Sequence, residues 1–96
     1  TMNEQELISQ GEDAAALLGS EPFNRVVNKM VEQCFHNFVN SKPDENKERG
    51  ITYYQYRALV DVVNTLKQHV QIRDEILAKN AQQEGDISQE EDMDHG

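Results

Sequence analysis

This 96-residue chain has one cysteine, Cys34, and no tryptophan, and its five glycines and two prolines are scattered. A single thiol cannot build an internal disulfide framework, and glycines this dispersed form no phosphate-cradling loop. No run of about 18 apolar residues is present, so no segment reads as a membrane-crossing helix. The opening TMNEQEL has neither the basic start nor the apolar block of a signal peptide, which gives the expectation of a reducing, intracellular setting. Basic residues are missing from both ends. Residues 1–21 hold five acids and residues 84–96 hold six, while the middle carries all nine bases against seven acids. The net charge of −9 therefore belongs to the ends. With Arg57, Lys67, Arg73 and Lys79 dispersed along one segment, no basic footprint for direct nucleic-acid binding forms.

What is present is helical patterning. Ser20 followed by Glu21 and Pro22 gives a capping side chain, an acid for the positive helix end and a proline tolerated in the first turn. Phe23, Val26, Val27, Met30, Val31, Cys34, Phe35, Phe38 and Val39 then recur at alternating steps of three and one, the helical period. The spacing predicts a helix over about 20–40, closed by the polar NSKPDENKERG, in which Pro43 disfavours helical geometry at Lys42.

A second helix is expected over about 52–80. Thr52 and Gln55 have capping-box spacing, and Ile51 and Tyr56 are placed for a hydrophobic staple. Tyr56, Leu59, Val63, Leu66, Val70 and Leu77 form its seam, interrupted at Arg73, which argues for an antiparallel hairpin over a continuous coiled coil. At 1.5 Å per residue the second helix is about 43 Å long against about 30 Å for the first, so one end is left uncovered. Either the N-terminal segment 1–19, apolar at Leu7, Ile8, Ala14, Leu17 and Leu18 but interrupted by Gly11, or a second copy of the chain would cover it. The expected organisation is all-α: a short N-terminal helical segment at 1–19, a hairpin at 20–80 and an acidic, mobile tail at 81–96, too poor in apolar residues to offset its ordering entropy.

No constellation carries chemistry. His36, His69 and His95 lack metal-ligand spacing, and His36 lies two residues from Cys34, on a different side of a helix. Asp74 and Glu75 diverge around their helix, and the EED run of the tail lacks the alternating ligands and central glycine of a calcium loop. The expectation is a non-enzymatic protein without catalytic residues, cofactor or metal. Tyr53, Tyr54 and Tyr56 concentrate half of the six aromatics in one turn. They either wedge the closed end of the hairpin against Phe38 and Val39 or stand exposed as an anchor for a partner. Val60, Val62, Ile72 and Ile76 widen the apolar surface beyond what one neighbouring helix covers. Together with Tyr53 and Tyr54 they are the candidate partner-binding residues, and a homo-oligomer is expected.

The stretch AALLGSEPFNRVVNKMVEQCFHNFVNSKPDENKERGITYYQYRALVDVVNTLKQHV resembles small helical proteins that tailed bacteriophages encode near their head and DNA-packaging genes. The likeness lies in the short Ala/Leu segment, the helix opening SEPF, the polar loop containing ER and the aromatic-started helix with LKQHV. It implies a protein of the virion or host cytoplasm, acting in assembly or packaging by self-association or by binding a virion or packaging component. A different class remains open: an acidic inhibitor that mimics DNA to block a host nucleic-acid enzyme, in which the acids of the ends carry the activity.

Overall fold

The computed structural model describes residues 1–95, with side chains described through Gly85. It is all-helical: α1 spans Glu4–Leu18, α2 spans Glu21–Val39 and α3 spans Asn46–His95. Fifty residues of α3 extend about 75 Å at 1.5 Å per residue, which accounts for the long axis of the 78 × 26 × 20 Å molecule.

Helices α1 and α2 lie end to end along α3, each antiparallel to it. Asn80 donates to Glu4 Oε1 at 2.7 Å, while Gln10 meets His69, so α1 ascends as α3 descends. From there α2 continues towards the loop, where Phe38 meets Arg49. The first arm of the hairpin is thus broken and the second continuous. The N-terminal segment, rather than a second copy, covers the far part of α3.

The break is built locally. Gly19 and Ser20 donate their N–H groups to the carbonyls of Ala15 and Leu17, both at 3.0 Å, closing α1. Ser20 Oγ accepts from the Phe23 N–H at 3.3 Å and opens α2 as the sequence implies. Asn24 Nδ2 spans the junction to the Leu18 carbonyl at 2.9 Å, holding the two helices in line.

Two features that look like interruptions in sequence are one contact in space. At Gly11 a Cβ would fall on the Cβ of Arg73 and 2.7 Å from the His69 carbonyl. The α1 and α3 backbones therefore approach where only glycine fits. Arg73 lies on that crossing with its guanidinium turned to Asp74 Oδ1, 2.8 Å away. An arginine is accommodated in the seam because its stem packs over a glycine while its charge stays paired near solvent.

The ends of α3 differ from the sequence expectation. The helix begins at Asn46, not near 52, and the Arg49 N–H already bonds the Glu45 carbonyl at 3.1 Å. Thr52 is no cap: its hydroxyl donates to the Glu48 carbonyl one turn back, at 3.0 Å. Ile51 is half exposed inside the helix rather than stapling its start. Polar helix formers at 46–49 carry no apolar period, which is why periodicity missed them. At the other end α3 runs on to His95 instead of stopping near 80. Ala, Gln and Glu at 81–84 favour helix, and no proline intervenes. The mobility expected of the tail concerns, from Asp86 onward, side chains outside the described residues.

Candidate interaction surface

Two layers of helix make a thin core. Among the described residues the only apolar ones classed as buried are Ala14, 1% exposed, and Cys34, 8% exposed, and no large side chain is fully enclosed. Ala14 lies in the α1 half, one turn beyond Gly11 and its close approach to α3. Cys34 lies in the α2 half, where the packing is looser.

That looseness follows from the width of the α2 stripe. At about 100° per residue, Val26 through Val39 sweep some 220° of the helix surface, far more than one neighbour covers. Cys34, Val27, Val31 and Phe23 take the middle and turn toward α3. Val26 and Met30 on one flank, and Phe35 and Val39 on the other, remain exposed, Phe35 at 70% and Val39 at 62%.

On the Phe35 side, α2 and α3 frame an open groove of about 730 Å3, lined mainly by Val31, Cys34, Phe35, Phe38, Tyr53 and Tyr56. Arg49 stacks on one of its lining residues, its guanidinium carbon 4.6 Å from the centre of the Phe38 ring in a cation–π contact. Tyr53 and Tyr56 share the groove with Phe38 and Val39, while Tyr54 stands outward, 72% exposed, with its ring centre 5.8 Å from that of Tyr53 and the two rings edge-on. A more polar hollow adjoins the groove across His36 and Thr52, bounded by Asn37, Asn40, Ser41, Glu45, Glu48 and Ile51.

The six residues singled out in sequence do not gather into one patch. Tyr53 lines the groove. Tyr54, Val62 and Ile72 are exposed elsewhere on α3, and Val60 and Ile76 are half-buried. Ile76 lies between Arg73, which meets Gly11, and Asn80, which bonds Glu4, so α1 covers it. Phe35, Phe38 and Val39 were missed because a regular stripe was assigned wholly to the hairpin core. The stripe's excessive width was the signal that could have found them.

Among the described residues, several titratable side chains are engaged in pairs. His69 takes the Gln10 amide nitrogen 2.8–2.9 Å from its ring nitrogens, and His36 is tied to Asn40 at 3.1 Å. Arg25 faces Glu21 and Arg57 faces Asp61 as exposed pairs one turn apart. Among the described residues no three His, Cys, Asp or Glu side chains converge as a metal site, and no helix is long and apolar enough to cross a membrane. Cys34 is a free thiol at the floor of the groove. Cys34→Ser, which places a hydroxyl where the thiol was sealed, is expected to cost about 1–3 kcal/mol in chemical denaturation. Binding per folded molecule should be unchanged; its loss in a fully folded Cys34→Ser protein would give the thiol a role beyond packing.

No protein-family profile, curated protein or solved structure matches this chain.

Proposed function

We propose that this chain is a non-enzymatic interaction protein whose working surface is the closed half of the hairpin, and that it serves phage virion assembly or DNA packaging. The observation that carries the interaction reading is the apolar groove between α2 and α3, lined in part by exposed Phe35 and Val39. A contiguous patch of exposed aromatic and aliphatic side chains costs solubility and is retained where a partner covers it. The phage setting rests on the sequence resemblance around SEPF and LKQHV.

The DNA-mimic reading draws support from one feature of the fold. Glu4, Glu6, Glu12 and Asp13 are exposed on α1, a helix held firmly to α3, so part of the acidity is displayed from an ordered surface. Of the other seven terminal acids, Glu21 opens α2 and six follow residue 83.

Two variants separate these readings. Phe35→Glu alters the groove without touching α1, and deletion of residues 84–96 removes six negative charges and little apolar area. In affinity capture from infected-cell extract, the interaction reading expects Phe35→Glu to lose the partner and the deletion to keep it. A dead deletion with a fully active Phe35→Glu protein, and a salt-sensitive basic target, would establish the mimic instead.

A further inference from the structure

We infer that the occupant of the groove is a second copy of this chain, docked two-fold through the closed halves so that the acidic open halves point away from each other. The inference deepens the interaction reading above and rests on it. Three observations select a second copy and this orientation.

The first is where the exposed apolar side chains lie. Val26, Met30, Phe35, Phe38, Val39, Ile51, Tyr53, Tyr54, Tyr56 and Val62 belong to the closed half, whereas the open half exposes only Met2, Leu17, Ile72 and Leu77 among its described residues. One half has its helices sealed at Gly11 and Ala14; in the other only Cys34 is buried. Pairing two such hairpins supplies the missing layer as a four-helix bundle.

Charge is the second. Residues 20–65, which make the closed half, hold six bases and six acids and are neutral. The remaining residues hold three bases and twelve acids, the whole −9 of the chain. Two copies laid side by side in the same direction would bring both acidic halves together. Overlap of the closed halves with opposite directions joins neutral, apolar surfaces and separates the charge.

The third is shape and area. Exposed Phe35 and Val39 line the groove and stand open to solvent, so the patch presents both a hollow and projecting apolar side chains, as a self-complementary two-fold contact requires. Phe35, Phe38, Val39, Tyr53 and Tyr56 leave roughly 500 Å2 open per copy, taking about 150–250 Å2 for a whole aromatic side chain. With a polar rim this approaches the ~800 Å2 per partner of a standard-sized interface.

The test combines stoichiometry with distance. Sedimentation equilibrium on the unaltered full chain is expected to show a dimer, weakened roughly 100-fold by Phe35→Glu. Spin labels are then placed, in a Cys34→Ala background, at Lys42→Cys beside the closed end or at Glu12→Cys in the open half. Rise along the helices puts the Lys42 pair about 20–35 Å apart across the dimer and the Glu12 pair at about 60 Å or more. If Cys34→Ala, at the floor of the groove, does not fold or does not sediment as the unaltered chain does, lysine cross-linking of mixed light and heavy unaltered chains replaces the labels. Links between copies should then join Lys29, Lys42 and Lys47, and never Lys79 to Lys79. A short Glu12 pair or a Lys79–Lys79 link overturns the orientation. A monomeric chain overturns the second copy as occupant. If that monomer still captures a partner through Phe35, the interaction reading survives; if Phe35→Glu is also without effect, both fall.

Discussion

Substitution of Gly11 by alanine is expected to lower stability by about 2 kcal/mol, although alanine is the better helix former by about 1 kcal/mol. The new methyl group would meet two atoms that cannot easily retreat: the Cβ of Arg73 and the main-chain carbonyl of His69. Relief requires α1 to lift from α3 along its length, which loses the Gln10–His69 and Glu4–Asn80 contacts as well as the seal over Ala14. Overpacking of this kind typically costs about 1–3 kcal/mol, a large share of the ~5–15 kcal/mol a domain possesses. Gly11→Leu should be worse and should leave α1 undocked, seen as loss of amide protection over residues 4–18 with α2 unaffected. A Gly11→Ala protein that melts higher than the parent would show that the crossing is not close and that propensity decides.

The second large effect is expected at Ile76. Glutamate there would be held half-buried beneath α1, where Arg73, one turn before it, is already paired with Asp74 and Lys79, one turn after it, is exposed to solvent. Ile76→Glu should cost about 2–4 kcal/mol in denaturant unfolding, the range for a charge forced into an unpaired, desolvated position. Tyr54→Glu, on a residue 72% exposed, should stay within about 0.5 kcal/mol of the parent. The contrast divides residues that the sequence pattern groups together. If Ile76→Glu proved as harmless as Tyr54→Glu, α1 would not lie over this part of α3, and the broken first arm would be wrong.

These two positions also mark how far the sequence reaches. The start of α2 was legible because Ser20, Glu21 and Pro22 act locally, within one turn, and the structure places the cap at Ser20. The helical nature of residues 4–18 was legible from Leu7, Ile8, Ala14, Leu17 and Leu18. Its role as the cover for the longer helix was one of two open choices, because the decisive contact joins Gly11 to Arg73, sixty-two positions apart and each looking like a defect alone. The start of α3 was hidden for a different reason. Asn46 to Arg49 are polar and lack a period, while Thr52 and Gln55 imitate a capping box that the hydrogen bond from Thr52 to Glu48 shows is helix interior.

Legibility of the interaction surface was partial in the same way. The clustering of tyrosines at 53–56 pointed to the closed end, and Tyr53 does line the groove. The other wall belongs to α2, whose Phe35 and Val39 follow the helical period as faithfully as Cys34 between them and the seam. Period separates an apolar face from a polar one; it does not say how much of that face the neighbour covers. That depends on how α2 and α3 pack, and at the closed end a groove stays open between them.

The central claim is that association takes place at the closed half and leaves the acidic open half free. Hydrogen–deuterium exchange of the full chain, measured at low and high protein concentration, tests it most directly. With rising concentration, protection should increase over residues 31–39 and 49–56 and stay constant over residues 4–18. Constant protection at the closed half together with a rise over residues 4–18 would contradict it and move the working surface to the acidic face.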